Sequence, residues 1–132
     1  MLLLNGFNVY GWDPYNSNNA FPDNKFDIVL LTYVLNILET HYDIDHTLQS
    51  TWNKVAHKGM LIATHRQADE ILRTARKGHW KIHNTIGFLT NSGTFQGIID
   101  QYDMRKKILN LLDGSSYDIV DKRFTMYIIR KE

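Results

Sequence analysis

Apolar residues in this chain fall into short blocks divided by polar, Asn- and Gly-rich stretches, and the blocks alternate between strand and helix periods. Phe7-Asn8-Val9-Tyr10 predicts a short strand running into Gly11-Trp12-Asp13-Pro14. Tyr15–Asn24, rich in Asn and Ser and carrying Pro22, predicts a loop. From Phe26 to Leu35 the run is nearly continuously apolar, the pattern of a strand covered by helices on both faces, so Ile28, Val29, Leu30 and Leu31 are all expected in the core. A helix capped by Asp43 or Asp45 follows, with Leu48, Trp52, Val55 and Ala56 at helical spacing and Gly59 as its stop.

Met60–Thr64 predicts a second buried strand, and Gln67–Arg76 a short helix using Ile71 and Leu72. Gly78–Ile99 has four glycines and no clean period, which predicts an excursion with little regular structure. Tyr102–Leu112 predicts a helix with Met104, Ile108, Leu111 and Leu112 on its apolar side. Tyr117–Val120 and Phe124–Arg130, joined by Asp121-Lys122-Arg123, are close enough for an antiparallel pair. Strands separated by helices, then a close final pair, predict one α/β domain over residues 1–132, its sheet mostly parallel with an antiparallel C-terminal pair.

Composition narrows the chemistry. The 132 residues contain no cysteine, which removes disulfides, thiolate zinc sites, iron–sulfur ligation and cysteine nucleophiles together. Met1-Leu2-Leu3-Leu4 is too short for a signal-peptide core and no apolar stretch reaches membrane-spanning length, so a cytoplasmic protein making no membrane contact is expected. The formal net charge of +1 hides an asymmetry: acidic residues dominate the first 50 positions, and seven basic residues lie between Lys54 and Lys81 against Asp69 and Glu70. That stretch reads either as a polyanion-binding face or as the solvated side of surface helices, and the excess is modest enough to favour the second.

Four places could carry chemistry. Asp13 follows a short strand, where a carboxylate can accept hydrogen bonds from vicinal ribose hydroxyls, or can cap the Asp-Pro turn. Thr32-Tyr33-Val34-Leu35-Asn36 turns an apolar strand polar at its tip, as a crevice-lining segment or as the start of a helix. His41-Tyr42-Asp43-Ile44-Asp45-His46 is rich in ligand-type side chains, but its spacing matches no metal motif and helix capping accounts for its aspartates, so no metal is expected. His65-Arg66 ends the second buried strand, within reach of a substrate or of a neighbouring carboxylate. No Walker loop, Gly-x-Ser-x-Gly or His-Glu-x-x-His is present.

In order and spacing, Gly11-Trp12-Asp13-Pro14, Tyr33-Val34-Leu35-Asn36-Ile37-Leu38-Glu39 and Gly93-Thr94-Phe95-Gln96 resemble the class I S-adenosylmethionine-dependent methyltransferases, and most of all those associated with DNA phosphorothioation. The resemblance runs from about Gly6 to Ile129. It implies a Rossmann-like sheet and S-adenosylmethionine as cofactor, with Asp13 on the ribose and Trp12, Thr32, Tyr33 and Asn36 lining the cofactor crevice. His65, Arg66, Thr94 and Gln96 would then lie on the substrate side. The family's first strand and its glycine-rich loop, whose backbone approaches the cofactor because glycine lacks a Cβ, have no counterpart here, and the short passage from Asp13 to Phe26 leaves no room for the third strand. The resemblance therefore implies a truncated sheet with an unpaired edge, completed by a second copy or by a partner chain.

Two functions follow as expectations: a methyltransferase, or the larger part of one, acting on an unknown acceptor with a link to DNA modification, and a non-catalytic relative binding a protein or nucleic acid. A hydrolase built on His65 or on the His41–His46 cluster has little behind it.

Overall fold

The computed structural model describes Gly6, residues 9–12 and residues 23–132. In chain order the elements are β1 (Phe26–Thr32), a 3-10 turn (Leu35–Ile37), α1 (His41–Trp52), β2 (Val55–Arg66), α2 (Ala68–Gly78), β3 (Lys81–Asn84), β4 (Gly87–Leu89), β5 (Phe95–Gly97), α3 (Gln101–Leu111), β6 (Ser115–Val120) and β7 (Phe124–Arg130). Among the described residues, four strands form the main sheet in the order β1-β2-β7-β6. β1 and β2 pair in parallel, while β7 runs antiparallel to both its neighbours. Three strands thus point one way and only β7 is reversed; β6 and β7 form the expected antiparallel pair.

The expected strand over Phe7–Tyr10 is not seen at Val9 and Tyr10, and the rest of it lies outside the described residues, as do Asp13 and residues 15–22 of the expected loop. Among the described residues β1 is therefore an edge strand. No described helix is long and apolar enough to cross a membrane.

Helix α1 begins earlier than expected because Thr40, not an aspartate, is its cap: the Thr40 hydroxyl accepts from the Asp43 amide at 3.0 Å, leaving Asp43 in the first turn. It also ends earlier. Val55 and Ala56 belong to β2, and Gly59 lies inside that strand rather than stopping a helix. Between the pairs Phe26–Val55 and Ile28–Met60 the register slips, and Lys58 takes a positive φ of 65° in the resulting bulge. The excursion expected between Gly78 and Ile99 is instead largely a three-stranded antiparallel sheet, β3-β4-β5. Strands of three and four residues are too short to show a period, and Gly87 allows the Gln96 carbonyl and the Phe95 ring to come close.

The core lies on one face of the main sheet. Leu31, Leu61, Ala63, Tyr127 and Ile129 point from the strands onto Ile44, Leu48 and Trp52 of α1 and Met104 and Ile108 of α3. Strand alternation sends the intervening residues to the other face. There Ile28 and Leu30 are 46% and 51% exposed, and Tyr117 and Ile119 on β6 are exposed as well. This corrects the expectation that all four of Ile28–Leu31 are buried: only Val29 and Leu31 meet the core, because α1 and α3 both pack on their side. Leu72 of α2 is likewise exposed, while Ile71 is fully buried. Register aligns Leu30, Ile62, Ile128 and Tyr117 in one apolar row across the open face.

Candidate functional site

The tips of β1 and β2 lie side by side and carry Thr32, Tyr33, His65 and Arg66. Thr32 pairs with Thr64 in the ladder, and the Tyr33 amide still donates to the Thr64 carbonyl at 2.9 Å. Tyr33 then takes a φ of 57°, the left-handed region in which a bulky side chain is strained, and its side chain remains 42% exposed. That reversal swings the chain into the 3-10 turn and drives Asn36 inward, to 2% exposure.

The buried Asn36 amide is held from across the fold. Its Nδ2 donates to Gln96 Oε1 on β5 at 2.9 Å, and the same oxygen accepts from a guanidinium nitrogen of Arg66 at 3.3 Å. Arg66 in turn grips Glu70 of α2 with two parallel bonds of 2.7 and 2.8 Å. The pair reinforces itself: the Arg66 guanidinium holds the Glu70 carboxyl below the usual carboxylate range, and Glu70 raises the Arg66 pKa. One group is left over. Asn36 Oδ1 is buried and has no partner, an acceptor whose hydrogen bond is unmade among the described residues.

His65 is not part of this surface. Alternation turns Arg66 to the open face and His65 to the core, where it is completely buried. Its Nδ1 lies 2.9 Å from the Arg66 carbonyl, which can only accept, so Nδ1 carries the proton. Burial lowers the His65 pKa and keeps the ring neutral. Nε2 is then the acceptor for the Tyr127 hydroxyl at 2.8 Å, and burial raises the Tyr127 pKa in turn. The expected substrate contact by His65 is corrected to a structural bond within the core.

This bond has a measurable pH dependence. Unfolded His65 takes up a proton near its ordinary pKa of about 6.5, which the folded ring resists, so its contribution is present above that pH and lost as pH falls below it. The urea midpoint is expected to drop between about pH 7.5 and about pH 5.5, and His65→Gln to shrink the drop. An unchanged drop in the variant would contradict this account.

The other predicted residues are placed separately. Thr94 sits in the β4–β5 turn, its hydroxyl 2.7 Å from that of Thr90, and Gly93 supplies the positive φ of 84° that the turn requires. Trp12 is exposed, and Asp13 lies outside the described residues. In the His41–His46 segment the side chains are spread over other duties: Tyr42 stacks on His46, and Asp45 pairs with Lys107 of α3. The described residues contain no group of three or more side chains able to hold a metal. Glu70, which orients Arg66, is signalled in the sequence only as an acid four residues after an arginine.

In sequence, no family model and no curated protein matches this chain. Solved structures do. It is similar to an O-methyltransferase family protein from Burkholderia thailandensis, with a TM-score of 0.59 and 14% identity over 83% of this chain and 31% of that one. An S-adenosylmethionine-dependent methyltransferase from Clostridium acetobutylicum superposes with a TM-score of 0.58 and 12% identity, over 86% of this chain and 61% of the other. The N-methyltransferase NodS from Bradyrhizobium japonicum gives 0.51 and 14%, over 85% and 54%. The chain thus spans between about a third and three fifths of the length of these three proteins. Over the part they share, it has the α/β fold of these methyltransferases.

Proposed function

We propose that this chain is an S-adenosylmethionine-dependent methyltransferase, or the larger part of one, working at the tips of β1 and β2. The observation that carries the reading is the bond from Asn36 to Gln96, 60 residues apart in sequence. It joins the Tyr33-Val34-Leu35-Asn36 and Gly93-Thr94-Phe95-Gln96 strings at one point beside Arg66. The same meeting supports the narrower membership, among the methyltransferases associated with DNA phosphorothioation.

The residues fit the cofactor in one specific respect. Asn36 Oδ1 is an acceptor in want of a donor, and S-adenosylmethionine offers amino and hydroxyl hydrogens. Trp12, Thr32, Tyr33 and Asn36 would line its crevice, with Asp13 on the ribose. When bound, the cofactor supplies an electrophilic methyl group. The task of the chain is then to hold an acceptor in line, which positioning by Arg66 and Gln96 can serve without a strong base. A partner chain or second copy beside β1 would complete the sheet and the remainder of the cofactor site.

The test is an NMR titration of the full chain with millimolar S-adenosylhomocysteine. Amide shifts are expected at Tyr33–Asn36 and at the Gln96 side chain, with Asn36→Leu abolishing them. Absence of shifts at these positions would overturn the reading.

A further inference from the structure

Beside this site, one residue beyond Arg66, a groove of about 520 Å³ opens between α2 and the turn joining β6 to β7. Gln67, Leu72, Arg73, Arg76 and Lys122 line it, together with Asp69 and Asp121. We propose that this groove takes the phosphodiester backbone of a nucleic-acid strand and leads it toward Arg66 and Gln96, so that the methyl acceptor is a nucleic acid. The proposal rests on the methyltransferase reading for its second half only; the binding of the backbone stands by itself.

Three observations carry it. First, the cations are unspent. Arg73, Arg76 and Lys122, with Lys77 and Arg123 close by in sequence, make no ion pair and no side-chain hydrogen bond among the described residues, whereas Arg66, Arg105 and Lys107 are each paired with a carboxylate. Glu70 feels the charge of Arg73 and Arg123, but both of its oxygens are already taken by Arg66. Second, the lining stays net positive, with Arg73, Arg76 and Lys122 against Asp69 and Asp121. Asp121 turns its carboxylate to the Arg123 amide at 3.1 Å, and its carbonyl accepts from Gln67 at 3.0 Å, which fixes the far wall. Asp69 lies in the first turn of α2, one turn before Arg73 without an ion pair to it, and away from the last-turn cations Arg76 and Lys77. Third, the spacing suits a repeating anion. Arg73 and Arg76 are one helical turn apart on one side of α2, with Cβ atoms about 5–6 Å from each other, and Lys122 faces them across the opening. A row of exposed cations without partners is what a backbone of regularly placed phosphates neutralises.

The experiment is fluorescence anisotropy of a labelled single-stranded oligonucleotide titrated with the full chain at several salt concentrations. Three phosphate contacts predict that log K falls with log salt with a slope of about −2. Replacing Arg73 and Arg76 together by Glu is expected to weaken binding by about tenfold or more. Lys122→Glu should lower the slope by roughly one contact, and Lys106→Glu on α3 should leave binding unchanged. Circular dichroism of each variant separates a lost contact from a lost fold. No binding at low salt, or equal binding by the double charge reversal, would overturn the proposal. Failure of the two readings is distinguishable: oligonucleotide binding without S-adenosylhomocysteine shifts at Tyr33–Asn36 removes the methyltransferase and keeps the groove, and the reverse result does the opposite.

Discussion

Leu61→Ala is expected to destabilise the protein by about 2–5 kcal/mol, while Leu30→Ala costs under about 1 kcal/mol, although both leucines sit in adjacent strands of the same sheet. Leu61 is fully buried in β2 against the helical layer, so truncation loses its transfer energy and leaves a cavity that close-packed neighbours fill only in part. Leu30 is already 51% exposed, and removing its methyl groups takes away contacts with little more than strand neighbours and water. Urea unfolding followed by far-ultraviolet circular dichroism measures both. Equal losses would mean that the open face is covered in solution and that the one-sided core is wrong.

The second large effect is expected at Gly59. A Cβ there would stand 2.6 Å from the Asp27 carbonyl oxygen and 2.9 Å from that of Ala56. Both obstacles are main-chain atoms, so no side chain can swing away to make room. Relief requires the bulge between β1 and β2 to open, at the place where the register slips and where the Gly59 carbonyl also accepts from the Lys131 amide at 2.9 Å. Gly59→Ala should therefore cost about 1–3 kcal/mol or more, as forced overpacking does. At Gly11 an added Cβ meets nothing within 4 Å, and Gly11→Ala is expected to be silent when the two variants are compared by urea unfolding. A silent Gly59→Ala would show that the bulge is more pliable than its geometry indicates.

What could be read from the residue pattern follows from range of interaction. Helices α2 and α3 and the β6–β7 pair were legible because their signals are local: apolar spacing along one face and a short turn between two strands. The end of α1 was not legible, since Val55 and Ala56 continue the helical spacing of Leu48 and Trp52 while tertiary pairing with Phe26 claims them for a strand. The run from Ile28 to Leu31 failed for a different reason. Continuous apolarity states what a strand tolerates on each face, and only the packing of α1 and α3 decides which face is covered. At the site, Tyr33, Asn36, Arg66 and Gln96 each stand out in the sequence. Their convergence was not visible, because it depends on a strained turn at Tyr33 and on a contact across 60 residues. His65 was misplaced for want of one datum, the parity of β2.

The reversed strand also has a consequence for how the molecule is made. β7, the most C-terminal of the described strands, lies between β2 and β6, and it joins β2 through pairs 58 to 70 positions apart, Arg66 with Phe124 and Met60 with Arg130. During synthesis, β1 is therefore the one described strand beside β2 while α2, the small sheet and α3 are being added. Pairings of such separation bear the entropy of closing a long loop before they return any energy, and chains that depend on them fold slowly. The growing chain must hold Leu61 and Ala63 against α1 through that interval with one edge of β2 unpaired, and cooperative closure waits on the arrival of Phe124–Arg130.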